Sequence, residues 1–367
     1  MTPEFGITAS DEDFEARFLA LHKQLFASTE FAFNDVTTHV YTPPRGMYQV
    51  DHSFFHDGDQ WHLFYCTGDM RKTNVYTRCM AQGDWEGAAR NTVEPGIGHA
   101  IGKSLFDLKY KELITPSSQG DFDFITRSNG WVFRHGGKYA MIYGVRGKEG
   151  FVGFSLMWSD DLEHWHPGDT NPIFGPPDWS KRGSTCKDVH VTEHEGRFLL
   201  YYVTADPNGY CCVALRTTID WESFEDEGCV FRTAPMLRGT MGVESITVFH
   251  REGLWHLFFS YRGGLWHAVS PDPRRFVRSR GRSFNVGTGF YLVGPFHATE
   301  IVQDPDGDWW LTTDRKEETR RLNRAAGRLC YRGSYEDERT LEEGLYLSHI
   351  RWEGDQPLLE KPIVSSD

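Results

Sequence analysis

One short motif recurs five times along this chain of 367 residues, and it restricts the possible folds more than any other feature. Each copy is a glycine-containing turn followed by a strand-like run that is rich in aromatic residues. The runs begin at Trp61, Tyr139, Phe198, Trp255 and Trp309, so that successive copies lie 78, 59, 57 and 54 residues apart. Repeats of about 40–60 residues that each hold several short strands are typical of propeller blades. The sequence therefore predicts an all-β fold, a five-bladed β-propeller.

A second element recurs in the same order and has the form Ser/Thr-x-Asp-x-x-x-aromatic. Its copies are residues 159–165, 218–224 and 270–276, each 15–20 residues after the first aromatic of the preceding motif. The polar residues can satisfy the backbone of a turn, and the terminal aromatic can pack between blades. We interpret the element as a later hairpin of the same blade. A β-sandwich with unrelated hairpins is the alternative, and it does not explain the shared order.

The remaining segments suggest how the ring is completed. Residues 11–27 carry apolar side chains at helical spacing, so we predict an N-terminal helical extension over 1–29 and a propeller catalytic domain over 30–367. The long first interval predicts an insertion in blade 1, roughly 66–103, that forms a wall of the pocket. The strand at 345–350 should pair with early strands near 31–41 and close the ring. Residues 317–326 are a second helical candidate.

Composition excludes several classes of partner and site. The formal net charge is −13 and the acidic residues are dispersed, which disfavours binding to nucleic acid or anionic membranes. Seven cysteines without CxxC spacing disfavour a disulfide framework or a zinc site. No apolar run is long enough to cross a membrane, and no signal peptide is visible, so a cytoplasmic protein is expected, or a secreted one if a leader has been removed. The oligomeric state is left open.

Three acidic residues stand at nearly the same distance before the motif. Asp51 lies 10 residues before Trp61, Asp188 lies 10 before Phe198, and Glu244 lies 11 before Trp255. Equivalent positions of a circular repeat converge on its axis, so these three carboxylates should meet. Like charges that are buried together are costly unless their pKa values are driven apart, and acid/base catalysis uses that separation. Each acid could instead be a turn or cap residue.

These features together resemble the five-bladed propeller glycoside hydrolases, both the arabinanase/xylosidase type and the invertase/levanase type. The segment Ser159-Asp160-Asp161-Leu162-Glu163-His164-Trp165 is similar to an S-x-D-L-x-x-W element of both types. The resemblance implies that Asp51 is the general base or nucleophile. It implies that Asp188 orients the acid and stabilises the transition state, and that Glu244 is the general acid. The residues beside the acids differ, since the invertase-type R-D-P and E-C are Lys187-Asp188-Val189 and Glu244-Ser245 here.

Other residues are candidates for substrate binding, and each could equally have a packing or surface role. The candidates are Arg127, Asn129, His190, Trp85, Trp266 and His297. Asn129 stands in blade 2 where the other blades have an acid. His297 resembles an axial histidine of the arabinanase type, which implies a possible structural calcium ion or a water there. No cofactor is expected to be required.

The sequence thus predicts a glycoside hydrolase that acts on a small glycoside or oligosaccharide of the arabinoside, xyloside or fructoside class. Phosphate-binding loops, a G-x-S-x-G elbow and an H-E-x-x-H helix are absent from the sequence, so nucleotide, serine-hydrolase and zinc-protease functions lack support. Two alternatives keep the fold. One is a glycosyl-transferring or otherwise repurposed enzyme, and the other is a catalytically inactive carbohydrate-binding propeller.

Overall fold

The chain forms five antiparallel sheets arranged as the blades of a propeller, as the repeats predict. The computed structural model describes residues 36–181, 183–235, 243–261, 264–276, 286–293, 298–315 and 344–363. The predicted helical extension over 1–29 and the helical candidate 317–326 lie outside these residues. No helix in the described ranges is long and apolar enough to cross a membrane.

Four blades are each built from consecutive strands, and the fifth also uses a strand from the start of the chain. The first strand is β1 (Thr38–Tyr41). Blade 1 holds β2 (Val50–His56), β3 (Trp61–Thr67), β4 (Gly96–Gly102) and β5 (Lys109–Ile114). Blade 2 holds β6 (Thr126–His135), β7 (Lys138–Arg146), β8 (Val152–Ser159) and β9 (His166–Pro167). Blade 3 holds β10 (Lys187–His194), β11 (Arg197–Ala205), β12 (Tyr210–Thr218) and β13 (Glu225–Pro235). Blade 4 holds β14 (Glu244–Arg251), β15 (Leu254–Tyr261), β16 (Gly264–Ser270) and β17 (Val286–Val293). Blade 5 holds β18 (Glu300–Gln303), β19 (Trp309–Arg315), β20 (Gly344–Glu353) and β21 (Gln356–Glu360), together with β1.

Both repeated elements are hairpins of the blades. The glycine turn joins the innermost strand to the second strand, as between β10 and β11, where Glu195 and Gly196 both have left-handed backbone. The second element joins the third strand to the fourth. In blade 3 the Thr218 hydroxyl accepts the N–H of Trp221 at 2.9 Å, and Asp220 accepts the N–H of Ser223 at 2.8 Å. These bonds replace water at a tight turn and explain why the element recurs.

The hydrophobic core is divided among the five interfaces between neighbouring blades. Strand β11 shows why its sequence is apolar throughout. Successive side chains of a strand point to opposite faces, so Leu199 and Tyr201 pack toward blade 4 while Leu200 and Tyr202 pack toward blade 2. The second strand of each blade is therefore buried on both faces. Removal of any one blade would expose the core clusters on both of its sides.

The ring closes on blade 5 through the first strand. β1 pairs with one half of β20, with Thr38 opposite Leu347 and Tyr41 opposite Leu345. β21 pairs with the other half, with Ile350 opposite Leu359. The sequence prediction that 345–350 pairs with the early strands is confirmed, and this pairing covers an edge that would otherwise be open.

The predicted insertion in blade 1 is present between β3 and β4. It contains two helices that the sequence analysis did not predict, α1 (Thr73–Gln82) and α2 (Trp85–Arg90). Asp84 caps α2 by accepting the N–H of Gly87 at 2.8 Å. Cys79 and Ala88 from the two helices pack against Ile125, which precedes blade 2. The insertion therefore packs against the start of blade 2, and its Glu94 lines a cavity over blades 1 to 3.

Candidate active site

Five residues with left-handed backbone surround the propeller axis, one from the start of each blade's innermost strand. They are Asp51, Asn129, Asp188, Ser245 and Ala298, with φ values of 44°, 57°, 55°, 52° and 46°. In blades 1 to 4 the pairing of the first two strands skips one residue at this point, which is a β-bulge. We call these five residues the bulge ring.

The bulge ring concentrates strained backbone where side chains of different blades meet. A left-handed conformation costs a residue with a side chain about 1–2 kcal/mol, and Asn and Asp tolerate it better than most. Three of the five positions are occupied by Asp or Asn. A bulge also bends its strand and redirects its side chains. Strain that recurs at five equivalent positions indicates a site whose geometry the fold maintains.

Hydrogen bonds connect the two aspartates of the bulge ring. The N–H of Ser245 donates to Asp188 Oδ2 at 3.0 Å, and the Ser245 hydroxyl donates to Asp51 Oδ1 at 3.5 Å. Asn129 Nδ2 donates to Asp188 Oδ1 at 3.3 Å. The structure thus places Asp51, Asp188 and Asn129 together, as their spacing suggests. Ser245, which the sequence analysis did not select, links them.

Glu244 lies one residue before the bulge ring, which explains its spacing of eleven rather than ten. The position of Glu244 is equivalent to that of Lys187 in blade 3, since both form the last strand pair before the bulge. Lys187 Nζ contacts Glu244 Oε1 and lies 3.4 Å from Asp188 Oδ2. Burial alone would lower the pKa of Lys187, but Asp188 and Glu244 outweigh it and raise that pKa above its ordinary value. Lys187 is therefore a permanent cation between two carboxylates.

Two cavities meet at the bulge ring. An open cavity of about 230 Å³ lies over blades 1 to 3, and a narrow one of about 20 Å³ follows the axis. Asp51, Asn129 and Asp188 line both. The described part of the open cavity is smaller than the ~300–1,000 Å³ of pockets for drug-sized ligands, and its other polar walls come from Glu94, Ser128, Arg146, Thr185 and Lys187.

Two buried carboxyl groups of blade 5 support this region, and the sequence analysis missed both. Asp314 Oδ2 accepts the N–H of Asp51 at 3.0 Å, which holds the backbone of the bulge. Glu300 lines the axial cavity and accepts the N–H of Phe54 at 2.9 Å. Burial raises the pKa of Glu300 well above its ordinary value. A search for acids at one fixed spacing could not find them, because they lie after the bulge and on the second strand.

The other candidates are placed in different surroundings. The Arg127 guanidinium donates to the backbone carbonyl of Asp123 at 2.7 Å. His190 is buried against Trp131, with ring centroids 4.1 Å apart, and burial lowers its pKa to about 3. Trp85 lies on α2 and packs beside Cys79 and Ala88. None of these three is among the residues that line the two cavities in the described part of the chain.

The last two candidates cannot be placed in the same way. Trp266 belongs to β16, but the structure does not describe its side chain, and His297 is outside the described residues. Among the described residues no group of three or more His, Cys, Asp or Glu side chains is arranged to hold a metal ion. The calcium ion at His297 stays a prediction.

Comparison with known proteins identifies the architecture. No protein-family model and no curated protein matches this chain by sequence. Among solved structures, a thermostable family-43 glycoside hydrolase superposes with a TM-score of 0.59 at 14% identity, over 89% of this chain and 98% of its own. The chain shares its fold with glycoside hydrolases. This confirms the resemblance in fold that the repeats suggested.

Two further solved structures are similar to the same extent. An exo-1,5-α-L-arabinanase from a bovine ruminal metagenomic library has a TM-score of 0.56 at 12% identity, over 87% of this chain and 99% of its own. A variant of the Bombyx mori GH32 β-fructofuranosidase, in complex with sucrose, has a TM-score of 0.60 at 14% identity, over 93% and 69%. Both hydrolase types that the sequence resembles are therefore represented among structures of this fold.

Proposed function

We propose that this protein is a glycoside hydrolase that uses Asp51, Asp188 and Glu244. The observation that carries the proposal is the convergence of two aspartates on Ser245, with both aspartates lining the open cavity. Lys187, which also lines that cavity, joins Glu244 to them, although Glu244 is not among the residues that line the two described cavities. Cleavage of a glycosidic bond requires a pair of carboxyl groups at the anomeric carbon. The solved structures with this fold include glycoside hydrolases of two families.

The hydrogen bonds favour a division of roles between the two aspartates. Both oxygens of Asp188 accept hydrogen bonds, from Asn129 and Ser245, so its negative charge is fixed in place. A fixed anion suits the stabilisation of an oxocarbenium-like transition state. Asp51 also lines both cavities, and the resemblance to the propeller glycosidases implies that it is the general base or nucleophile.

The role of Glu244 requires a rearrangement of Lys187. A general acid must start protonated, whereas an ammonium contact favours the ionised carboxylate. Glu244 contacts Lys187, which also lies 3.4 Å from Asp188. We propose that a bound glycoside displaces Lys187 from Glu244 toward Asp188. Glu244 can then take up a proton from water and deliver it to the leaving oxygen.

The substrate we propose is a small glycoside or oligosaccharide of the arabinoside, xyloside or fructoside class, cleaved from one end. The small volume of the described open cavity supports a single terminal sugar. Related folds include an exo-acting arabinanase and a β-fructofuranosidase in complex with sucrose. No step of this reaction is assigned to the calcium ion predicted at His297.

The experiment is a hydrolysis screen against aryl furanosides and pyranosides, with the product anomer followed by NMR. We expect turnover of at least one glycoside, and a loss of at least about 100-fold in Asp51→Asn and Glu244→Gln. Glu195→Gln is the matched control, because Glu195 lies in an exposed hairpin of blade 3. Wild-type rates in both variants would contradict the hydrolase assignment.

A carbohydrate-binding protein without catalysis is the second candidate. The contact between Lys187 and Glu244 favours it, since an ammonium group beside a carboxylate favours the ionised form, which cannot donate a proton. Calorimetric binding of a sugar without turnover across the panel would support this alternative. Product analysis in the presence of an excess of acceptor sugar separates hydrolysis from glycosyl transfer.

A further inference from the structure

We propose that Ser245 and Asn129 are positioning residues that fix the two aspartates relative to each other. The inference rests on the proposed function for its kinetic part, since it explains how Asp188 and Asp51 are oriented for the reaction. Neither residue is proposed to touch the reacting atoms.

Ser245 donates a hydrogen bond to each of the two aspartates, one from its backbone and one from its side chain. The left-handed bulge makes this possible. The bulge interrupts the pairing of β14 with β15 between Glu244 and Thr247, and the N–H of Ser245 within it reaches Asp188 of blade 3. The hydroxyl then points to Asp51 of blade 1. One residue of blade 4 thereby connects blades 3 and 1 across the axis.

Asn129 completes the arrangement from blade 2. Its amide nitrogen donates to the Asp188 oxygen that Ser245 does not contact. An amide at this position supplies a donor without adding a third negative charge, which an acid equivalent to Asp51 would do. The absence of an acid from blade 2, noticed in the sequence, thus has a physical reason.

The experiment uses variants that are expected to change activity and thermal stability in opposite directions. A positioning role can then be separated from a role in stability. Ser245→Gly removes the hydroxyl but relieves the left-handed strain at φ 52°, so it should keep or increase thermal stability. We expect kcat to fall about 10- to 100-fold with little change in KM, as for loss of a hydrogen bond to a charged group. Ser245→Thr restores the hydroxyl and adds strain, so it should be less stable but more active than Ser245→Gly.

Two further variants serve as counterparts. Asn129→Gly removes the donor to Asp188 at another left-handed position, and it should lower kcat by a similar factor. Ala298→Gly relieves the same strain without removing a polar group and is judged on thermal unfolding alone, where it should match Ser245→Gly. If Ser245→Gly retains wild-type kcat, or if activity in the series follows thermal stability, the inference is overturned.

Crystal structures of the variants give a result that does not depend on turnover. We expect Asp51 to adopt more than one rotamer in Ser245→Gly, and Asp188 to do so in Asn129→Gly. Unchanged single rotamers in both structures would overturn the inference. If the wild type hydrolyses no glycoside, the proposed function fails, and the rotamers alone decide whether these residues position the aspartates.

Discussion

At the scale of single residues, the site depends on backbone geometry as much as on acidic side chains. Each of Asp51, Asn129 and Asp188 has a left-handed conformation that its short polar side chain tolerates. Ser245 and Ala298 have the same conformation without that advantage. The ring therefore stores strain in five places, and the cross-blade bonds to Asp188 and from Asp51 to Asp314 offset part of it.

Lys187 supplies the first prediction at this scale. We expect Lys187→Met to lower kcat/KM by about 10-fold or more, because the two carboxylates that flank the ammonium would repel each other without it. The acid limb of the pH–activity profile should move to higher pH, because a carboxylate that has lost a cation holds its proton more tightly. The profile is measured on the best aryl glycoside of the screen.

Lys187→Arg is the control for charge. It keeps the cation and should retain the acid limb of the wild type, although its planar guanidinium changes the contacts to Glu244. An unchanged limb in Lys187→Met would show that the ammonium does not control the ionisation of the site.

The sequence predicted part of the site because residues at the same position of each sequence repeat occupy equivalent positions in the folded blades. Asp51 and Asp188 occupy equivalent positions, so equal distances to the aromatic strand were sufficient to bring them together. Ser245 was not predicted because its hydrogen bonds exist only in the left-handed bulge, and the local sequence does not indicate that bulge. Glu300 and Asp314 were not predicted because their effect depends on burial, and burial arises from blades distant in the chain.

At the scale of elements, the hairpins were predictable and the helices were not. Glycine turns and aromatic strands have strong local signals. By contrast, α1 buries few of its side chains and α2 has six residues, so neither shows a sustained apolar stripe. Both depend on packing against Ile125 at the edge of blade 2. Their stability therefore comes from tertiary contacts rather than from local sequence.

The closure of the ring gives a prediction for one glycine. Gly344 begins β20 with a φ of 132°, and a Cβ there would lie 2.0 Å from the carbonyl oxygen of Tyr41 in β1. Because neither backbone can yield without breaking the strand pairing, we expect Gly344→Ala to destabilise the protein by about 2–4 kcal/mol. Urea unfolding measures the change.

Gly354 provides the matched control. It lies in the turn between β20 and β21 with a φ of 63°, and no atom lies within 4 Å of the position that a Cβ would take. Gly354→Ala should cost only the left-handed conformation, about 1 kcal/mol. Equal losses in the two variants would show that the contact between β1 and β20 does not control closure.

At the scale of the whole molecule, several ionisable groups are buried in neutral form. Burial lowers the pKa of His99 and His190 to about 3 and that of His256 to about 4. His99 and His256 each belong to a pair of histidines, and the two pairs occupy matching positions in blades 1 and 4. The nearest ring nitrogens of His62 and His99 lie 2.9 Å apart, and so do those of His256 and His267. Two blades of one chain thus share a buried imidazole pair that must stay largely uncharged.

These groups predict that the fold weakens in mild acid. A histidine in the unfolded chain has a pKa of about 6.5, so below that pH the unfolded state binds more protons than the folded state. The stabilisation is complete above about pH 6.5 and is lost as pH falls toward the folded values of about 3 and 4. Each such histidine contributes at most about 1.4 kcal/mol per pH unit in that window, and Glu300 acts in the opposite direction because burial raises its pKa.

The buried histidines therefore predict a net loss of stability between pH 6.5 and 5.5, to which His190 alone contributes about 1 kcal/mol. Urea unfolding at the two pH values measures it. His190→Phe should reduce the loss by about 1 kcal/mol, because one buried imidazole that takes up a proton on unfolding is gone. His164→Gln is the control, since His164 is exposed and paired with Asp161, which raises its pKa. A loss that is the same in wild type and His190→Phe would mean that proton uptake by the buried histidines does not set the acid stability of the ring.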